Sequence, residues 1–483
     1  MQKGTVELQS ETLCGSRPPS FQRPKPPRSQ APSNFESGSL TLPRLGGTLS
    51  RPLPTAAFRP SPCPTVSTGA LNVGVVLGGV APEHEVSIIS ALQAAAALDR
   101  DRFRPIPLYI AKDGTWYTGS ELLEIDAYRD IDRLRETAVP VALQPTPYDT
   151  LKLVEVREGG AFSRFFRPPR TFTVDVVLPG LHGGAGEDGG VQGLCETFNV
   201  PYTGSGILGS AIGMDKVVSK QLCRHAGIPV VEFVSFREDE WAHREEEGLD
   251  RCEAEIGYPL IVKPARCGSS IGIAFASDRE ALDAAIEDAF RYDDKIVVER
   301  AVEELREVNC SILGDAHEAE PSVLEEPVAS DEEDVLTFQD KYMREAGGGK
   351  GPETGGAKSG GDAPEGMASL DRIIPAELPD DRSEEIRDLA VRIFRLFECA
   401  GVARIDFMID EATGELYFNE INTIPGSFSF YLWEPSGIPF DELVERMIDI
   451  ALRRHREQNG RIQTYDVNLL SEKDLSGIKN GGS

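Results

Sequence analysis

From Leu71 onward, short apolar runs alternate with amphipathic stretches. LNVGVVLGG, closed by Gly78 and Gly79, predicts a buried parallel strand followed by a turn. In EHEVSIISALQAAAALD, the residues Val86, Ile89, Leu92 and Ala96 recur at helical spacing and predict one buried helix face. RPIPLYIAKDG and TVDVVLPGLHG read as the second and third strands, and VQGLCETFNVPY as a helix leading back into a strand. Strand–helix alternation of this kind builds a doubly wound parallel sheet, so residues 71–204 form an N-terminal α/β domain. Residues 205–300 alternate again, with the strand YPLIVKP, a glycine-rich loop, the helix DREALDAAIEDAF and the strand KIVVER. Residues 301–456 hold strand pairs and closing helices, and 457–483 form a polar tail. Between Arg344 and Met367 lies GGGKGPETGGAKSGGDAPEG, a long glycine-rich insertion of the kind used as a lid or left unstructured.

The pattern changes character in GVARIDFMIDEATGELYFNEINTIPGS. Alternation puts Ala403, Ile405, Phe407 and Ile409 on one face of a strand and Arg404 and Asp406 on the other. A turn at 411–414 returns the chain as ELYFNEIN, where Glu420 and Asn422 share a face. The hairpin therefore brings Asp406, Glu420 and Asn422 together beside Arg404. Two carboxylates and an amide oxygen are hard ligands suited to Mg²⁺. The outer side of an ordinary hairpin would carry similar residues, so spacing alone leaves both readings open. The Thr-Ile-Pro-Gly turn that follows can aim backbone N–H groups at an anion.

A second constellation is YPLIVKPARCGSSIGI, where Lys263 ends a buried strand ahead of a Gly-Ser-Ser loop. An ammonium and several backbone donors set this way can meet a polyphosphate, although the segment is not the G-x-x-x-x-G-K-[ST] loop. Lys216 in GMDKVVSK and Lys341 in QDKYM are further candidates. Taken singly, each is more often a solvated surface charge. Glu83 sits where the first strand gives way to a helix, at the sheet edge where ligands of open α/β folds collect. It could equally be a capping carboxylate. His182, in LHGGAGEDGGVQG, points toward the same edge. No Ser/His/Asp or Cys/His spacing suggests a covalent nucleophile.

Composition narrows the partners. The 483-residue chain carries a formal charge of −29, which excludes nucleic acid and an anionic membrane surface as expected partners. No run reaches the roughly 18 apolar residues of a membrane span. The eight cysteines are scattered without a C-x-x-C pair and read as reduced thiols. Residues 1–70 stand apart. They hold 12 of the 34 prolines, and eight basic residues against three acidic ones. Such a segment cannot bury enough apolar surface to offset its chain entropy, so a disordered, dispensable tail is expected rather than a targeting signal.

Eight blocks in this order, GGVAPEHEVS, HGGAGEDGGVQG, PYTGSGILGSAIGMDKVVSK, YPLIVKPARCGSSIG, VERAVEELREVNCSILG, DKY, GVARIDFMID and FNEINTIPG, resemble the D-alanine–D-alanine ligases of the ATP-grasp superfamily. The resemblance spans about Leu71 to Arg456. It implies an α/β ATP-grasp fold in which a doubly wound N-terminal domain joins two α+β subdomains, 205–300 and 301–456, that sandwich ATP. It also implies ATP-dependent joining of two D-alanines through an acyl phosphate for peptidoglycan precursors, with ATP and two Mg²⁺ or Mn²⁺ ions. A cytoplasmic homodimer is expected. By the same resemblance, Glu83, Ser269 and Tyr342 orient the first D-alanine, and Lys216, Lys263 and Lys341 contact the phosphates. Glu299 belongs to the adenine strand and Glu307 to the ribose contact. Asp406, Glu420 and Asn422 bind metal, and Arg404 and the Gly426 N–H form the oxyanion site. The chain departs from the pattern at Tyr431, where many relatives carry a small hydroxyl residue that contacts the acceptor. A ligase with another acceptor, or a non-catalytic nucleotide-binding regulator, are the alternative readings.

Overall fold

The protein is described from a computed structural model covering residues 69–146, 149–157, 168–328 and 372–463. Among the described residues the strands form three sheets, none sharing a strand with another. The first sheet comprises β1 (Leu71–Gly78), β2 (Phe103–Ile110), β3 (Trp116–Thr118), β4 (Val139–Pro145), β5 (Leu151–Glu155), β6 (Thr171–Val174) and β7 (Val176–Pro179). Helices α1 (His84–Ala97), α2 (Ile131–Thr137) and α3 (Gly190–Thr197) accompany it. The parallel alternation legible in the sequence is present at one end of the sheet, where β1 runs parallel to both β2 and the edge strand β7. Beyond β2 the sheet continues as an antiparallel series through β3, β4, β5 and β6.

TVDVVLPGLHG, expected as one strand, is two. The chain breaks at Asp175, whose carboxylate accepts the Asn72 N–H at 2.8 Å, so β6 joins β5 while β7 joins β1. The strand expected after α3 is reduced to a single bridge between Tyr202 and Val177. Helix α1 also turns differently from expectation: Ala96 is exposed and Ile89 half-buried. Its buried set includes Ile88, Ala91, Leu92 and Ala95, because the helix is covered on several sides rather than one.

The central sheet is antiparallel throughout, in the order β10-β9-β11-β8. It comprises β8 (Phe233–Arg237), β9 (Leu260–Pro264), β10 (Ala274–Ala276) and β11 (Lys295–Arg300), preceded by α4 (Ile207–Met214) and α5 (Lys216–His225). Helices α6 (Glu238–Glu255) and α7 (Arg279–Ala289) cover one face. Asp278 starts α7 by accepting the Ala281 N–H at 3.0 Å, a cap that typically stabilises a helix by about 1 kcal/mol. Leu282, Ala285, Ile286 and Ala289 then pack on Leu260, Val262, Ile296 and Val298.

The third sheet, ordered β14-β13-β12-β15-β16, contains β12 (Leu305–Gly314), β13 (Ala319–Pro327), β14 (Arg372–Ile373), β15 (Gly401–Asp410) and β16 (Glu415–Asn422). Helix α8 (Asp380–Leu396) buries Ile386, Ile393 and Phe394 against Ala403, Ile405, Phe407 and Ile409, the apolar side of β15 assigned from alternation. Burying side chains of this size is worth about 1.5–3 kcal/mol each, and that is what fixes the strand's facing. Arg404 and Asp406 are thereby turned to the opposite face. Helices α9 (Phe430–Trp433) and α10 (Phe440–Asn459) are the last described, and Leu443, Val444 and Met447 of α10 join the core built around α1. Among the described residues no helix is long and apolar enough to cross a membrane.

Candidate active site

The β15–β16 hairpin sets Asp406 directly opposite Glu420 and Arg404 opposite Asn422. Arg404 donates from Nε and Nη2 to the two Asp406 oxygens, at 2.7 and 2.8 Å, and Asn422 Nδ2 reaches Asp406 Oδ2 at 3.0 Å. Charge-assisted forks of this kind fix orientation as well as energy. Burial and the facing Glu420 push the Asp406 carboxyl upward against the pull of Arg404. Burial acts on Glu420 too, but Lys216 and Lys263 outweigh it and hold that carboxyl well down. The bend between Asp406 and Phe407 leaves Asn419 outside the pairing register.

The central sheet meets this hairpin through lysines. Lys216, the first residue of α5, lies 3.2 Å from Glu420 Oε2 and donates to the Cys267 carbonyl at 2.7 Å. Asp215 starts that helix by accepting the Val217 and Val218 N–H groups, which aims Lys216 inward. Lys263 on β9 donates to Glu299 Oε2 at 2.8 Å and to Asn419 Oδ1 at 3.2 Å. Glu299 is 1% exposed and pairs with a second cation, the wholly buried Lys220, at 3.2 Å. Burial would raise the Glu299 carboxyl, but the two lysines bring it below its ordinary range.

The first sheet closes the site from a third side. Glu83 precedes α1 and is buried, yet its side chain does not cap the helix. Its Oε1 instead accepts the Ser269 hydroxyl at 2.5 Å, across 186 residues of sequence. Ser269 and Ser270 both hold left-handed backbone, with φ of 51° and 57°; such strain is retained where surrounding structure over-determines it. Burial raises the Glu83 carboxyl, with Ser269 and Lys216 pulling the other way. Glu187 accepts the Gly183 N–H at 3.1 Å and the Ile424 N–H at 3.4 Å, and burial beside Glu83 pushes it up to about 7. His182 reaches the Ser90 hydroxyl at 2.8 Å and the Ile424 backbone, and burial brings it down to about 4. Ser90 Oγ accepts the Ser427 N–H at 2.9 Å, which leaves the hydroxyl proton for a neutral His182 Nε2. This contact holds the turn Gly426–Ser429, where Ser427, Phe428 and Ser429 have φ of 50°, 53° and 52°.

The structure thus gathers Glu83, Ser269, Lys216, Lys263, Glu299, Arg404, Asp406, Glu420 and Asn422, with Gly426 at the adjoining turn. Glu307 lies exposed on β12 opposite Met408 and joins none of these contacts. Lys341 and Tyr342 fall outside the described residues. Sequence reasoning missed Lys220, which was findable: it lies one turn beyond Lys216 on the same helix face. It also missed Glu187 and Ser90, whose roles depend on contacts between distant segments. Asn419 was hidden by a bend that alternation does not reveal.

A site set between an antiparallel four-stranded sheet and a five-stranded sheet with an acidic hairpin, closed by a third α/β unit, defines an ATP-grasp architecture. The sequence matches the family described as D-ala D-ala ligase N-terminus over residues 72–205, and D-ala D-ala ligase C-terminus over 222–350 and 365–449. The chain belongs to the D-alanine–D-alanine ligase family. It is 39% identical over 396 residues to the D-alanine–D-alanine ligase of Caldicellulosiruptor bescii, covering 80% of this chain and 97% of that one. Against the ligase of Geobacillus kaustophilus it is 36% identical over 398 residues, covering 82% and 98%. Among solved structures it resembles the D-alanine–D-alanine ligase of Coxiella burnetii, with a TM-score of 0.63 and 27% identity over 81% of this chain and 96% of that one. It also resembles the VanG D-Ala:D-Ser ligase of Enterococcus faecalis, with a TM-score of 0.61 and 28% identity over 79% and 99%.

Proposed function

We infer that the chain uses ATP to join two D-alanines into D-alanyl-D-alanine for peptidoglycan precursors. The observation that carries this reading is the meeting, at one place, of the Arg404–Asp406–Glu420–Asn422 hairpin, the lysines of the central sheet and Glu83 held by Ser269. The three sheets support a division into an N-terminal substrate domain, 71–204, and two ATP-grasp subdomains, 205–300 and 301–456. The cytoplasm, where ATP is supplied, is the compartment that fits, and a homodimer is the expected assembly.

Glu83 orients the ammonium of the first D-alanine, and Ser269 keeps that carboxylate turned into the site. Lys216 and Lys263 hold the ATP phosphates, joined by Lys341, with Tyr342 completing the substrate contacts. Glu299 serves the adenine strand, and Glu307 the ribose. The oxygen donors of Asp406, Glu420 and Asn422 fit Mg²⁺ or Mn²⁺, hard cations that would neutralise phosphate charge when bound. The first D-alanine's carboxylate oxygen bonds to the γ-phosphorus as the bond to ADP breaks, giving an acyl phosphate. The second amine's lone pair then forms the C–N bond. Phosphate leaves with the C–O electron pair and takes up the proton that the amine gives up. Arg404 and the Gly426 N–H stabilise the oxyanion formed in this step.

Mg²⁺-ATP turnover with D-alanine alone, followed as phosphate release and dipeptide mass, tests the reading. L-alanine, D-serine and D-lactate serve as comparison substrates. D-alanyl-D-alanine formed at one phosphate per dipeptide is the expected result. Turnover that requires D-alanine plus a different acceptor would move the function to a related ligase. ATP binding without ADP formation would favour a regulator.

A further inference from the structure

The polar face that carries the hairpin does not end at Asp406. Pairing registers place Glu325 on β13, Asn309 on β12, Asp406 on β15 and Glu420 on β16 in one continuous cross-strand row. The β13–β12 half of that row is buried, with Glu325 2% and Asn309 6% exposed. Glu325 Oε1 accepts Asn309 Nδ2 at 2.7 Å and the Tyr431 hydroxyl at 3.4 Å, and Glu325 Oε2 accepts Arg372 Nη1 at 3.0 Å. The Arg372 guanidinium also lies over the Tyr431 ring, 4.0 Å from its centre. Tyr431 Oη in turn accepts Arg404 Nη1 at 3.5 Å.

A buried ion pair stabilises a fold little more than apolar residues of the same volume, so packing alone gives no reason for this one. Its connection to Arg404 does. Two of Arg404's three nitrogens rest on Asp406, and the oxygens of Asp406 are also claimed by Asn422 and by its assigned place at the metal. Tyr431 is the anchor of Arg404 on the other side, free of those competing demands. Glu325 orients the tyrosine by accepting its proton, so that the oxygen's lone pairs face Arg404. Arg372 holds Glu325 and the tyrosine ring together.

We propose that Tyr431, with Glu325 and Arg372 behind it, is a positioning unit for Arg404 that serves the amine-attack step. The inference rests on the ligase reading above. It concerns only the second step, because phosphoryl transfer to the first D-alanine does not draw on the oxyanion contact. Tyr431→Phe removes one oxygen and keeps the ring in place.

The test compares dipeptide formation with ¹⁸O positional exchange in ATP, which reports reversible acyl-phosphate formation. Tyr431→Phe should lower kcat for dipeptide about tenfold, the scale of one hydrogen bond to a charged group, and leave KM for ATP unchanged. The ratio of exchange to dipeptide formation should rise by about the same factor. Glu325→Gln, which keeps an acceptor oxygen, should retain most of the activity that Glu325→Ala loses. Wild-type kcat and exchange ratio in Tyr431→Phe would overturn the proposal. So would a fall in both rates together with the melting temperature, since that is what a purely structural residue gives. Wild-type enzyme that consumes ATP without forming dipeptide would overturn the ligase reading itself, a result separable from the other two.

Discussion

The two sides of the site handle charge in opposite ways. Where the central sheet meets the hairpin, charges are paired: Lys216 with Glu420, Lys263 and Lys220 with Glu299, and Arg404 with Asp406. On the side built by the first sheet, Glu83 and Glu187 are buried and form no ion pair among the described residues, and burial favours the neutral form of His182. On the proposed reading the paired side receives a polyphosphate, whose charge would replace the carboxylates that now hold the lysines. The unpaired side keeps carboxylates whose natural partner is a cation supplied from outside, such as a substrate ammonium. The difference is one of electrostatic preorganisation: fixed charge on one side, sites that wait for charge on the other.

The largest effect should come from the paired side. Arg404→Ala removes the oxyanion donor proposed above and should lower kcat on the order of 10²–10³-fold. The fold should survive, because burial already favours protonation of Asp406 once the guanidinium is gone. Near-normal turnover in this variant would break the comparison at its strongest point. Lys220→Met attacks the same side in its structural role, leaving Glu299 with Lys263 as its remaining lysine. Breaking a buried pair this way should cost about 3–5 kcal/mol of stability in urea unfolding. Replacing Glu299 by Met as well should recover part of that loss.

The paired side was also the more legible in sequence. Asp406, Glu420 and Asn422 lie within 17 residues, so strand alternation sufficed to bring them together beside Arg404. The unpaired side depends on tertiary meetings: Glu83 with Ser269 over 186 residues, and Ser427 with Ser90 over 337. No local period encodes such a contact, and only the resemblance linked Glu83 with Ser269. The same limit explains the first sheet. Apolar runs revealed β1 and β2, but nothing in TVDVVLPGLHG showed that Asp175 would bind Asn72 and split the strand.

The unpaired side should reveal itself through pH. Glu187 has a folded pKa raised from 4.5 to about 7, so its contribution to stability is present below pH 4.5 and lost as pH rises through 7. His182 has a folded pKa lowered from 6.5 to about 4, so its contribution is present above pH 6.5 and lost as pH falls through 4. Between about pH 4.5 and 6.5 the two slopes oppose each other. Glu187→Gln should expose the histidine and make the melting temperature climb with pH across that window. His182→Gln should expose the carboxyl and make it fall up to about pH 7. Each slope is bounded by roughly 1.4 kcal/mol per pH unit. Parallel profiles in wild type and both variants would show that neither group titrates in a buried setting.

The smallest expected effect is also the one that asks whether the unpaired side takes part in chemistry or only in folding. Ser90 projects from α1, its Oγ accepting the Ser427 N–H and facing His182 Nε2. Ser90→Ala would leave a buried N–H without its acceptor at the entrance to three successive left-handed residues. An unmet buried donor costs about 1–3 kcal/mol, so a modest fall in melting temperature is expected. If the turn also fixes the Gly426 N–H for the oxyanion, kcat should fall severalfold while KM for ATP holds, because the lysines of the paired side are untouched. A stability loss with full kcat would confine Ser90 to folding and leave the oxyanion contact to Arg404.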